Sequence, residues 1–164
     1  MVARLGPVKA LIISLAVIAQ GGAVIAQVPA QTQAAPAPAP APAPGTGTAL
    51  KATLTGATEV PGPGDPDGNG MASVTIDLAS SKLCYSLTTM QVEGVTMAHI
   101  HHAPMGSMGN VVVPLTPPTE GSSQGCLQVR PELAAAIVAD PSSYYVNVHS
   151  EAHIAGAVRG QLAK

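Results

Sequence analysis

From residue 50 onward, apolar and polar side chains alternate in short runs broken by Gly, Pro, Asp and Asn. Leu50, Ala52 and Leu54 alternate with Lys51, Thr53 and Thr55, and Ala72, Val74, Ile76 and Leu78 with Ser73, Thr75 and Asp77. After Ala79-Ser80-Ser81 a second run starts at Lys82, in which Leu83, Tyr85 and Leu87 take the apolar positions. A period of two belongs to a strand with one buried face, so 72–78 and 82–87 predict a hairpin. Further strands are expected near Val95 to His101, Val111 to Leu115, Cys126 to Val129, Tyr144 to His149 and Ala157 to Leu162. Only Pro131 to Ala139 carries helix signals: a first-turn Pro, Glu132 at the positive end of the dipole, and an Ala-rich body stopped by Asp140-Pro141. The pattern predicts an all-β domain, an antiparallel Greek-key-like sandwich or barrel with one short helix.

The chain ahead of this domain follows different rules. Arg4 and Lys9 precede an uncharged apolar run from Ala10 to Ala19, and small residues then lead to Val24-Ile25-Ala26. That order predicts a signal peptide over residues 1–26 and an export route to the periplasm or beyond the cell. The stretch from Ala10 to Val28 is barely long enough to span a bilayer and contains Gln20 and Gln27, which argues against a retained anchor. Residues 27–49 are nearly all Ala and Pro, ending in Gly-Thr repeats, a composition that stays extended and disordered. The domain proper is expected over 50–164.

Composition narrows the chemistry. The chain has no Phe and no Trp, and its aromatic residues are Tyr85, Tyr144 and Tyr145, so the core must come from Val, Ile, Leu, Ala and Met. In an exported domain with so thin a core, Cys84 and Cys126 are most simply a stabilising disulfide; a thiolate metal site is disfavoured in an oxidising compartment. Without Arg4 and Lys9, five Lys and Arg stand against nine Asp and Glu. Nucleic acid is excluded as a partner on this ground, because phosphate neutralisation needs clustered Lys and Arg. Asp65-Pro66-Asp67-Gly68-Asn69-Gly70 matches the first half of an EF-hand loop, but the twelfth position is Ile76, so a turn is expected there instead of a calcium site.

All five histidines fall in two segments, His99-Ile100-His101-His102 and His149 to His153. Alternation puts His99 and His101 on one strand face and Ala98 and Ile100 on the other. By the same rule Tyr144, Val146 and Val148 point inward while Tyr145, Asn147 and His149 point out, and Arg159 and Gln161 oppose Val158 and Leu162. If these strands are neighbours, His99, His101 and His149 share a face suited to a transition metal, with Asn147, Arg159 and Gln161 as supporting residues. His102 and His153 are spare ligands in adjacent loops. Residues 103–110 are expected to cover the site, with Met105 and Met108 offering sulfur suited to reduced copper. The plainer alternative is that each strand histidine is a hydrogen-bonded surface residue, and that Arg159 pairs with Glu59 or Glu151.

The blocks Leu54-Thr55-Gly56-Ala57-Thr58-Glu59-Val60-Pro61, Ala98-His99-Ile100-His101, Gly109-Asn110-Val111-Val112, Tyr145-Val146-Asn147-Val148-His149-Ser150 and Val158-Arg159-Gly160-Gln161-Leu162 together resemble the CHRD domain, named after chordin. The resemblance runs from Leu50 to Leu162 and implies an extracytoplasmic β-sandwich or barrel. Two departures are visible: His102-Ala103 stands where the family has a residue followed by Gly, and Ile154-Ala155-Gly156 replaces a common Pro-Gly-Gly. The His-x-His strand followed by a Val-x-Val-His strand also looks like part of the copper-zinc superoxide dismutase pattern, without its bridging-histidine and zinc-loop segments.

The expected function is that of an exported CHRD-domain protein holding a transition metal, copper ahead of iron and zinc. The alternatives are a metal-free module binding an extracytoplasmic protein or glycan, and, more remotely, a superoxide-dismutase-like redox enzyme. No Gly-x-Ser-x-Gly elbow or comparable arrangement supports a hydrolase.

Overall fold

A computed structural model describes residues 47–164. The expected signal peptide and nearly all of the expected linker lie outside the described residues. Eight strands form one antiparallel sheet: β1 (Thr48–Thr55), β2 (Asn69–Asp77), β3 (Lys82–Met90), β4 (Val95–His102), β5 (Asn110–Leu115), β6 (Ser122–Gln128), β7 (Tyr144–Ser150) and β8 (Val158–Gln161). Their order is β5-β4-β7-β8-β1-β2-β3-β6, so the hairpins β1-β2, β2-β3, β4-β5 and β7-β8 are joined by longer Greek-key-like crossings. Where the two outer strands end, Thr116 N donates to Tyr85 Oη at 2.8 Å and Ser123 Oγ to Thr116 O at 2.7 Å, which nearly closes the sheet into a barrel.

Register follows the alternation. Ile76, Val74 and Ala72 stand opposite Leu83, Tyr85 and Leu87, and Leu50, Ala52 and Leu54 opposite Val74, Ala72 and Gly70. These side chains, with Ile100, Val113, Val146, Val148, Val158 and Leu162, fill the interior. The one α-helix among the described residues, α1 (Pro131–Ala139), covers one part of this core through Ala134 and Ile137, within the limits expected of it. Cys84 and Cys126 are directly paired on β3 and β6, with sulfurs 2.09 Å apart, at disulfide distance.

Three local expectations are corrected. Leu78 lies beyond the end of β2 in the turn and is exposed, because Asp77 caps that turn by accepting from Ala79 N at 2.9 Å. β6 begins at Ser122, before the expected Cys126: the polar run Ser122-Ser123-Gln124-Gly125 pairs with Thr88 to Tyr85 through its backbone, which alternation of side chains does not register. The Asp65 to Gly70 segment is a turn into β2, with Asp65 Oδ1 accepting from Gly68 N at 3.1 Å. A turn is what the segment's composition leads one to expect, but a solvated one, whereas Asp65 is buried while Pro66 and Asp67 are exposed.

Candidate functional site

The strands carrying the histidines are neighbours. In the β4-β7 ladder Met97 opposes His149, His99 opposes Asn147 and His101 opposes Tyr145; in the β7-β8 ladder Asn147 opposes Arg159 and Tyr145 opposes Gln161. Directly opposed residues share a sheet face, so one face collects all the residues that alternation assigned to it. Much of that face is covered, although His99 is half-buried and Met97 exposed. Tyr144, Val146 and Val148 of β7 are buried in the core, and Asn147 and Arg159 are each left 2 % exposed by two segments that lie across the outer face.

The first covering segment is the loop after β4. Arg159 donates from Nη1 to Ser107 O at 2.8 Å and from Nη2 to Pro104 O at 3.1 Å, and Gln161 Nε2 donates to Ala103 O at 2.8 Å. Arg159 also sits over the Tyr145 ring, 3.4 Å from its centroid. Arg159 and Gln161 therefore hold the loop down. The second covering segment carries Glu59, which accepts a hydrogen bond from Asn147 Nδ2. Burial pushes the Glu59 carboxyl up to about 7, against the opposing pull of Arg159 and its hydrogen bonds. Gly156 makes room for this carboxylate: its φ is +153°, and a Cβ there would stand 2.4 Å from Glu59 Oε2.

Under these covers His99, His101 and His149 each offer a ring nitrogen within 4.8 Å of the other two. The tautomers of two of them follow from their partners. His101 Nδ1 lies 2.9 Å from Gly109 O and His149 Nδ1 lies 2.9 Å from Ile154 O. A carbonyl can only accept, so both rings carry their proton on Nδ1 and present Nε2 as a lone pair. His101 Nε2 is buried and has no hydrogen-bond partner. His149 Nε2 is 3.3 Å from His99 Nδ1. Two nitrogens bound tetrahedrally to one ion at about 2.0–2.1 Å stand about 3.3–3.4 Å apart, so this pair already has the spacing of adjacent ligands. Burial holds His99 below the usual histidine range, and the neighbouring His149 and His101 add to it. His101 is lowered likewise, by burial first, with the Gly109 hydrogen bond opposing.

The remaining candidates fall elsewhere. His102 is exposed and packs on Tyr144, with ring centroids 4.7 Å apart, since alternation turns it away from His101. His153 is tied to Ser150, whose Oγ lies 3.4 Å from its Nδ1. Met105 and Met108 are exposed at the loop surface, and Met105 lines a groove with Lys51, Thr53, Thr58 and Arg159 instead of the histidines. Three residues that the sequence reading did not name as ligands or supporting residues stand on or against this face. Tyr145 stacks flat on His101, with centroids 4.7 Å apart, and its hydroxyl accepts from Gly109 N at 3.3 Å. Gly109 supplies the carbonyl that orients His101, which no side-chain pattern signals. Met97 precedes His99 by two positions and so shares its face, a placement alternation does carry.

The CHRD domain model matches residues 50–162. The chain belongs to the CHRD domain family. The match spans the whole sheet from β1 to β8, and all of the triad lies within it. Comparison with curated proteins and comparison with solved structures each found no match. Among the described residues, no helix is long and apolar enough to cross a membrane.

Proposed function

We propose that this CHRD-domain protein is exported and binds a transition metal, copper ahead of iron or zinc, through His99, His101 and His149. The observation that carries the reading is His101 Nε2, a lone pair buried without a partner beside two other imidazoles. A buried acceptor with nothing to accept costs about 1–3 kcal/mol, and a bound cation removes that cost. The donation of His101 and His149 to backbone carbonyls is the arrangement that fixes ring orientation and raises basicity in metal-ligating histidines. Rings held below the usual histidine range stay neutral at physiological pH, as ligation requires.

With the His99 proton carried on Nε2, its Nδ1 and the Nε2 of His149 would both present lone pairs to an ion held between them. Asn147 stands opposite His99 in the β4-β7 ladder and is itself held by the Glu59 carboxyl from the covering segment. The Arg4 to Ala26 segment, the Ala/Pro tether and the Cys84–Cys126 pair support export.

The test is equilibrium binding of copper and zinc to the full chain, alongside His99→Ala and His149→Ala variants whose fold is checked by circular dichroism. The expected result is one metal per chain, lost from both folded variants. Metal content unchanged in the variants, or no binding by the native chain, overturns the reading and favours a metal-free interaction module.

A further inference from the structure

The geometry points to Met97 as a fourth ligand, a thioether that makes the histidine site selective for copper in its reduced state; this rests on the metal-binding reading above. The β4-β7 ladder has a bulge between Val95 and Met97. It turns Val95 back to pack against the core and leaves Thr96 and Met97 both facing outward. Met97 is thereby the residue directly opposite His149 and lies two positions before His99 on the same face. Opposed Cβ atoms stand about 4.5–5.5 Å apart, within reach of a side chain with three rotatable bonds. Bulges recur beside functional sites, where they re-aim side chains.

Burial separates Met97 from a packing role. It is 43 % exposed and lies outside the hydrophobic core, while its neighbours on the ladder, Ala98 and Val148, are buried. A half-exposed apolar side chain on the ladder beside His99 and His149 has no packing task in this sheet. Its sulfur is the one soft donor that the ladder places beside two of the three histidines. Soft thioether ligands select Cu(I), whereas imidazoles alone serve zinc and copper alike. Three imidazoles and a thioether complete a four-coordinate shell without a second loop or a partner chain. Met105 and Met108, the other methionines near this end, are 73 % and 67 % exposed in the covering loop and do not stand on this ladder.

The experiment compares Cu(I) and Zn(II) affinities of the full native chain with those of Met97→Leu and Met108→Leu. Leu keeps the apolar volume and removes the sulfur. The expected result for Met97→Leu is Cu(I) binding weakened about tenfold or more with Zn(II) binding unchanged, and X-ray absorption losing a sulfur scatterer that the native copper(I) protein has. Met108→Leu should match the native chain in both metals. Cu(I) affinity unchanged in Met97→Leu, while the histidine variants lose metal, overturns this inference and leaves the triad standing. Failure of the native chain to bind either metal removes the triad reading and this inference together.

Discussion

Glu59 and the two histidines of β4, His99 and His101, titrate in opposite senses, and each sense is a stability statement. Burial raises the folded Glu59 carboxyl from 4.5 to about 7, so between these values the folded chain keeps a proton that the unfolded chain has lost. Stability therefore falls as pH rises through that window, on the order of 2 kcal/mol after discounting for partial solvent screening. Glu59→Gln retains the oxygen that accepts from Asn147 and cannot ionise. Its melting temperature should exceed that of the native chain above pH 7, and the difference should vanish near pH 4. Parallel melting curves for the two proteins across that range would contradict a buried, raised carboxyl. His99 and His101 are shifted down from 6.5, so unfolded rings take up protons first as pH falls below that value. Metal-free protein should lose this part of its stability below pH 6.5, and His99→Ala should flatten that limb of the profile in denaturant titrations. At this scale the sequence was legible where a side chain's face follows from parity, as for His99, His101 and His149. The Glu59–Asn147 contact joins residues 88 apart in sequence across a covering loop, and no local pattern encodes it.

Each strand with a clear apolar alternation was legible at the level of the element, because burial of one face imposes a period of two. β6 was not, since its first half pairs through backbone groups beneath polar side chains. The loop over residues 103–110 was expected to cover the histidines, but its fastening was not legible: it hangs on carbonyls of Ala103, Pro104 and Ser107 that Arg159 and Gln161 bind. Backbone acceptors leave no trace in residue type. The end of this loop is the tightest. A Cβ on Gly109 would meet His102 O at 2.0 Å, and it is the Gly109 carbonyl that accepts from His101. Gly109→Ala should therefore destabilise the fold by about 1–3 kcal/mol and weaken metal binding at the same time. Calorimetric melting paired with metal titration checks this; a variant with native stability and native affinity would show that the loop end is not constrained as described.

The described residues form a nearly closed barrel with no Phe or Trp in its core, held across β3 and β6 by the Cys84–Cys126 pair. The two cysteines are 42 residues apart, and closing a loop of that length stabilises the folded state by about 4 kcal/mol in the chain-entropy model. The Cys84→Ser, Cys126→Ser double variant should accordingly unfold at markedly lower denaturant concentration, and an unchanged midpoint would argue against a bond. α1 covers apolar residues of the core, whereas the outer face of β4, β7 and β8 buries Glu59, Asn147 and Arg159 beside the histidines. The most direct measurement is anomalous diffraction at the copper edge from crystals of the full chain loaded with one equivalent of copper. A single peak about 2.0–2.1 Å from a ring nitrogen of each of His99, His101 and His149 is the predicted result. No peak at the triad, with copper scattered over His102, His153 or the exposed methionines instead, would contradict it.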